Sequence, residues 1–300
     1  MIARTQHALP ADDPHERAQK IAERVDEVWH ARHGHGELEI PVSVVAVLSL
    51  LAPPPSRRAT LASAISALEP DGFADLVRRM WKEFVLARPD LVNRAWPLIE
   101  PWLGDRKMTP EKLEAACAVA HEMLRRDLFG LTDTTRWEID LLGAVLTTVR
   151  TESSWKARGQ YYTPTSLTDL IARLAGTPAP GESVNDPACG TGGMFRAAAA
   201  AMRSAGDDPA TASWEGNDVD ELAVACCAVN VVLWGLGTNV LLGVGNTLTA
   251  DWRERALAER SEPVVLMKQL SALMAVMDLT DTQRRGSAST SADVTTGDEQ

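Results

Sequence analysis

The sequence predicts an α/β chain in two parts, an all-helical N-terminal half followed by a partial doubly wound parallel sheet. Three observations carry this. Residues 1–150 repeat their apolar side chains every three or four residues and nowhere alternate with a period of two. After Arg158, short strand-like runs at Ser183–Asn185, Trp214–Gly216 and Asn239–Leu242 alternate with helical segments, the pattern of parallel strands joined by crossover helices. Between the first run and the next helix lies a glycine-rich turn, Asp186-Pro187-Ala188-Cys189-Gly190-Thr191-Gly192-Gly193.

The elements follow in order. From His15 to Arg32, the side chains of Ala18, Ile21, Ala22, Val25, Val28 and Trp29 form one stripe of an amphipathic helix, which Gly34 and Gly36 end. The run Ile40–Ala52 is too apolar for a surface helix and reads as a buried one, stopped by Pro53, Pro54 and Pro55. Helical patterns continue at 57–68, 71–87, 89–103, 110–128 and 134–150, with breaks at Pro70, Pro89, Gly104 and Gly130. Thr109 before Pro110 is a cap followed by a first-turn proline. In the second half, Gly159–Pro164 is a polar, aromatic loop, and helices are expected at Leu167–Leu174, Met194–Met202, Glu221–Leu233 and Trp252–Leu279. From Thr280 the chain is rich in Ser, Thr, Gly and Asp and reads as a disordered tail. The organisation is therefore a helical domain at 1–150, a sheet-bearing domain at 151–279 and a tail at 280–300.

Composition narrows the function classes. With 45% hydrophobic and 24% charged residues among 300, the chain is an ordinary globular one. The longest apolar run, Ile40–Ala52, is far short of the ~20 residues that span a bilayer. The first residues carry Arg4, Asp12, Asp13, Glu16 and Arg17 and lack the apolar core of a signal peptide. No membrane partner is expected, and the expected location is cytoplasmic. Cys117, Cys189, Cys226 and Cys227 show no CxxC spacing, so neither a disulfide framework nor a zinc ribbon is expected. His30, His33 and His35 read as cationic tips near a helix C-terminus, and no metal site is assigned. Residues 1–150 carry 19 basic and 22 acidic side chains, a net of −3, and residues 151–300 carry 11 and 19, a net of −8. Neither half has the basic excess of a chain that grips DNA alone.

Chemistry concentrates in the second half. The turn at Asp186–Gly193 joins a strand to a helix, where glycines let a ligand approach the main chain and the helix start offers unpaired N–H groups. It is not a phosphate-binding P-loop, because no Gly-Lys-Ser/Thr follows. It is not the dinucleotide fingerprint either, since the third glycine position falls on Phe195. A carboxylate just before the glycines points to a nucleoside-type cofactor. A second carboxylate, Asp218 in Gly216-Asn217-Asp218-Val219-Asp220, stands where the second strand ends and can accept hydrogen bonds from ribose hydroxyls. Asp220, ahead of Glu221, fits a helix cap.

Four segments together, Gly159-Gln160-Tyr161-Tyr162-Thr163-Pro164, Asp186 to Met194, Gly216 to Asp220 and Gly245-Asn246-Thr247-Leu248, resemble the N6-adenine DNA methyltransferases, in particular the modification subunit of type I restriction systems. The resemblance covers about residues 155–250. It implies a sheet of the S-adenosylmethionine-dependent methyltransferase type, S-adenosylmethionine as cofactor and the adenine amino group of DNA as acceptor. It assigns the methionine end of the cofactor to Gln160, Tyr161, Tyr162, Thr163, Pro164, Asp186, Gly190, Thr191, Gly192 and Gly193. It assigns the ribose to Asp218 and the adenine ring to Asn246, which stands where the family usually has Asp.

The sequence departs from the family at the catalytic motif, Asn/Asp-Pro-Pro-Phe/Tyr. Its only adjacent prolines, Pro53 to Pro55, lie between helices and are followed by Ser56. Catalytic residues are therefore unassigned, and only three strands of the family's larger sheet are expected. An incomplete parallel sheet leaves an open edge that must be covered. Residues 1–150 are expected to pack against 155–279 and supply that cover, unless the last helix or another chain does. The function expected is a DNA methyltransferase component that relies on a partner, either a specificity subunit or a second methyltransferase fragment, for DNA reading and for the base pocket. The alternative is an inactive relative acting as a binding or regulatory subunit.

Overall fold

The computed structural model describes residues 13–34, 36–105, 108–150, 165–248 and 251–292. The helical half comprises α1 (Pro14–His33), α2 (Glu39–Leu51), α3 (Arg58–Ser66), α4 (Pro70–Ala87), α5 (Val92–Leu103), α6 (Pro110–Arg125), α7 (Leu128–Thr134) and α8 (Leu141–Val149). Local chemistry sets the ends. Asp13 caps α1 by accepting the His15 N–H at 3.1 Å, and Gly34, at φ 85°, closes it. Thr109 caps α6 through the Lys112 N–H, as its spacing predicts. Helix α2 buries every residue from Ile40 to Ser49 and contacts α4, α5, α6, α7 and α8, so it is the axis of the bundle. At its centre the Ser43 hydroxyl donates to the Leu98 carbonyl (2.7 Å) and accepts from the indole N–H groups of Trp81 (3.0 Å) and Trp102 (2.9 Å).

Two boundaries differ from the sequence reading. The helix expected at 110–128 ends at Arg125. Asp127, in the left-handed region at φ 53°, caps α7 through the Gly130 N–H. Gly130, expected as a break, lies inside α7, and the helix expected at 134–150 begins only at Leu141, where Asp140 accepts the Gly143 N–H at 2.8 Å. Both breaks lie at aspartates, whose short side chains compete for backbone N–H groups that a continuing helix would use.

The sheet contains β1 (Ser183–Asp186), β2 (Ser213–Asp218) and β3 (Val240–Val244), all parallel in the order β1-β2-β3. Helix α9 (Thr165–Ala175) precedes β1, α10 (Gly193–Ala205) joins β1 to β2, α11 (Glu221–Leu233) joins β2 to β3, and α12 (Trp252–Ala292) follows β3. One face packs on α10, where the Phe195 ring meets Trp214 edge-on at 5.5 Å. Helix α12 covers the other face. A Cβ on Gly243 would lie 2.8 Å from the Trp252 ring, and Arg253 pairs with Glu215 at 2.7 Å. The architecture is thus the expected helical part with a partial doubly wound sheet. Helix α12 continues past the expected end at 279 and takes in 280–292, which the sequence assigns to a disordered tail. After Pro263 no proline interrupts it. Among the described residues no single helix is long and apolar enough to cross a membrane.

The helical half does pack on the sheet, but at the end opposite to the open edge. Helix α11, buried throughout from Ala223 to Val231, is wedged between the strands and α2, α5 and α8. Helix α12 is tied to α5 by Asn93, which donates to the Glu259 carbonyl at 2.6 Å, and by an Arg94–Glu259 ion pair. The outer edge of β1 stays uncovered among the described residues, with Ser183 and Asn185 exposed. The reason is in α11. A helix apolar on all sides requires cover on all sides, and this draws the bundle to it.

Candidate functional site

The three motifs that the structure describes meet at the C-terminal ends of the strands, where open α/β sheets take ligands. Backbone bonds stitch them together. The Cys189 N–H donates to the Asn217 carbonyl (3.0 Å) and the Gly245 N–H to the Asp218 carbonyl (2.9 Å). Asn217, fully buried, donates from its amide to the Gly245 carbonyl and to the Thr247 hydroxyl, each at 2.7 Å, and the Thr247 hydroxyl donates to the Pro187 carbonyl.

Asp218 lies at the centre. Its carboxylate accepts the Gly190 N–H at 2.8 Å through one oxygen and the Asp220 N–H at 2.9 Å through the other. Each oxygen keeps a second lone-pair direction for a hydroxyl donor. Asp186 accepts the Ala188 N–H at 3.1 Å. Burial pushes the Asp186 carboxyl above its ordinary range and the nearby Asp218 charge adds to this, against the opposing Ala188 hydrogen bond. Gly190 has φ 51° and open space where a side chain would stand, so the main chain is bare there. Gly192, at φ 94°, is closely packed instead. A Cβ there would come within 3.0 Å of both Cys227 Sγ and the Trp234 ring. Val219 and Leu248 flank the strand ends with apolar side chains 63% and 93% exposed. A cavity of about 440 Å³ runs from the β1 edge to the turn, lined by Ala172, Val184, Asp186, Pro187, Met194 and Ala198 among others.

The sequence-assigned residues separate into three groups. Asp186, Gly190, Gly192, Gly193 and Asp218 are brought together at the strand ends. Thr191 belongs to the same turn, but its hydroxyl is directed inward and donates to Asp140. Asn246 follows β3, is exposed, and accepts the Leu248 N–H through its own side chain at 3.0 Å. Gln160, Tyr161, Tyr162, Thr163 and Pro164 lie outside the described residues. The cysteines behave as core. Cys226 and Cys227 are fully buried, and their thiols are pushed well up, Cys226 by burial and Cys227 by its contact with Cys189 together with burial. Among the described residues no cluster of His, Cys, Asp and Glu could hold a metal. His30 pairs with Asp26 and His33 with Glu37.

Sequence reasoning missed Asp140, Arg150 and Asn230. Asn230 donates to Asp140 (2.8 Å) and to the Thr191 carbonyl (2.9 Å). Arg150 forms a two-pronged ion pair with Asp220, the side chains being 4% and 5% exposed. Asp140 had a visible signal, an aspartate three residues before Gly143 at the head of an apolar run. Arg150 and Asn230 had none, because their partners are 70 and 90 residues away in the chain.

The family model of the N-6 DNA methylases matches residues 139–275. That segment is similar to the N-6 DNA methylases. Its first residues, 139–149, lie in the helical half, so the matched segment reaches across the junction between the two parts. A curated relative, the MjaIX methylase subunit of a type I restriction enzyme from Methanocaldococcus jannaschii, is 38% identical over 85 residues, which make up 28% of this chain and 15% of the relative. Among solved structures, the methyltransferase subunit of a type I restriction-modification system from Streptococcus thermophilus aligns with 79% of this chain and 60% of its own, at 16% identity and a TM-score of 0.45. A modification subunit assigned to a type I restriction enzyme from Vibrio vulnificus aligns with 81% and 58%, at 16% identity and a TM-score of 0.40. The chain thus spans only a small part of the curated relative's length.

Proposed function

We propose that the chain binds S-adenosylmethionine at the strand ends and serves as the cofactor-binding component of an N6-adenine DNA methyltransferase of a restriction-modification system. One observation carries the reading: Asp218 is joined to the glycine turn at Gly190, so the carboxylate suited to a ribose and the bare backbone suited to the rest of the cofactor form one surface. Asp218 would hold the ribose. Gly190, Gly192 and Gly193 would let the amino-acid end approach the backbone, with Asp186 beside them, and Gln160, Tyr161, Tyr162, Thr163 and Pro164 would complete that end. Asn246 would meet the adenine ring, and Val219 and Leu248 offer it apolar contact. When bound, S-adenosylmethionine supplies an activated methyl group. We take 1–150 as a helical domain, 151–279 as the methyltransferase domain, and a cytoplasmic setting in which DNA is reached through a partner specificity subunit or a second methyltransferase fragment.

Two facts favour that dependence on a partner. The 300 residues hold no Asn/Asp-Pro-Pro-Phe/Tyr segment, and both halves are acidic. The same facts favour the second reading, an inactive relative that acts through protein contacts.

Calorimetry and thermal unfolding with S-adenosylmethionine test cofactor binding. A ligand at a hundred times its Kd stabilises the folded state by about 2.7 kcal/mol, a readily measured rise in Tm. No heat and no shift at millimolar ligand would end the proposal. Labelled S-adenosylmethionine and mixed-sequence DNA, with and without products of neighbouring genes, separate the two readings. Methylation that appears only with a partner supports the first. No methylation with any partner, despite cofactor binding, supports the second.

A further inference from the structure

Two features of the glycine turn call for something to hold it. Gly190 and Gly192 both occupy the left-handed region, on either side of Thr191. Glycine reaches that region freely, so it does not hold a turn in one shape. Yet Thr191 is only 5% exposed, and its polar groups are satisfied by residues far away in sequence. Its hydroxyl donates to Asp140, and its carbonyl accepts from Asn230 at 2.9 Å. The Asp140 carboxylate in turn accepts from Asn230 (2.8 Å) and from the Gly143 N–H (2.8 Å), so three donors converge on one buried group. The two residues before Asp140 also grip the turn's surroundings. The Ile139 carbonyl accepts from the Trp234 indole (3.1 Å), whose ring backs Gly192, and the Glu138 carbonyl accepts from Arg196 (2.9 Å) in the first turn of α10.

Helix α8, which Asp140 caps, is fixed at its other end too. Arg150, directly after α8, pairs with Asp220, which accepts the Leu222 N–H at 3.2 Å to cap α11 and lies two residues beyond Asp218. A nine-residue helix is about 13 Å long. One rigid rod of the helical half is therefore pinned to the glycine turn at its start and to the Asp218 loop at its end.

We propose that α8 is a strut that fixes the glycine turn relative to the Asp218 loop, and that Asp140 is the positioning residue through which the helical half holds the turn ready for cofactor. The proposal rests on the cofactor reading above for its ligand and on the hydrogen bonds alone for its mechanics. Asp140 touches no ligand in this scheme. It acts through Thr191, and its effect is to remove disorder that binding would otherwise have to remove.

The test uses the full chain and S-adenosylmethionine. Asp140→Ala and Thr191→Val are each expected to weaken binding by roughly tenfold, the scale of one hydrogen bond to a charged group. The double variant should be no weaker than Asp140→Ala alone, because that change already removes the link to the Thr191 hydroxyl. Asp140→Asn should bind within about threefold of wild type, since its amide oxygen can accept and its NH2 can donate to the Thr191 hydroxyl. Ser43→Ala, which unsettles the bundle far from the turn, should lower Tm and leave affinity unchanged. Hydrogen exchange at amides 190–193 should quicken in Asp140→Ala and not in Ser43→Ala. If Asp140→Ala fails to fold, Thr191→Val breaks the same link, with Asp140→Asn as the control that keeps it. Wild-type affinity with wild-type exchange in Asp140→Ala or Thr191→Val would overturn the strut, as would fully additive losses in the double variant. A wild-type chain that binds no S-adenosylmethionine while exchange still quickens would overturn the cofactor reading and keep the strut.

Discussion

Replacing Arg150 with alanine is expected to destabilise the chain severely through Asp220. The pair is almost fully enclosed, with side chains 4% and 5% exposed, and the guanidinium meets both carboxylate oxygens. Exposed ion pairs are worth little, but removing one partner of an enclosed pair leaves a charge without solvent or counter-ion and costs about 3–5 kcal/mol. Asp220 keeps the Leu222 N–H, which places the expected loss near 3 kcal/mol. Against a total stability of about 5–15 kcal/mol that is a large share. The assay is urea unfolding followed by tryptophan fluorescence, with Asp220→Asn and the double variant completing a cycle. The double variant should recover part of the loss, because neither charge is then left alone.

The same pair gives a pH signature. Burial works to raise the Asp220 carboxyl, and the Arg150 hydrogen bond and charge, with the Ala223 and Leu222 N–H groups, outweigh it and hold the group below its ordinary value. A depressed folded-state pKa adds stability that is fully present above the unfolded pKa and is lost as pH falls through the folded one. The gap between wild type and Arg150→Ala should therefore be widest near neutral pH and close in acid, below the ordinary aspartate range. A loss under about 1 kcal/mol at neutral pH, or a gap that does not narrow in acid, would refute the argument.

Other outcomes follow from the same geometry. Asp218→Ala should weaken S-adenosylmethionine binding by about 1–3 kcal/mol in calorimetry, the range for losing charge-assisted hydrogen bonds. Gly192→Ala must strain a φ of 94° and displace Cys227 or Trp234, so Tm should fall and cofactor binding should weaken together. Ser43→Ala leaves two indole N–H groups without a partner in the core, at a cost of about 2–4 kcal/mol in urea unfolding. Glu122, which burial would raise, is held low by Arg24, Arg126 and Arg125, so Glu122→Gln should cost stability at neutral pH and progressively less as acid protonates the wild-type carboxyl.

Much of the fold was legible because its signals are local. The 3.6-residue stripe of α1, the proline stop after α2, the Thr109 cap and the alternation of strands with helices need only neighbours in the chain. The glycine turn and Asp218 were legible for the same reason, since each occupies a short contiguous motif at a strand end. What could not be read was any feature whose two halves lie far apart in sequence. The helix break before Leu141 is the instructive case. The cap on Gly143 is local, but the anchoring of Asp140 to Thr191, 51 residues downstream, leaves no mark near it in the chain.

By itself, then, the sequence determined the two-part α/β architecture and the resemblance to N6-adenine methyltransferases in the glycine turn and the carboxylate after it. Backbone geometry and short polar side chains act over a few residues and leave their pattern in order along the chain. Only the tertiary structure decided that the helical half braces α11 and β3 rather than the β1 edge, that Thr191 faces Asp140, and that Arg150 pairs with Asp220. Burial and charge pairing depend on distance in space. An apolar helix accepts cover from any element that can reach it, and a buried charge accepts any counter-ion that arrives with it.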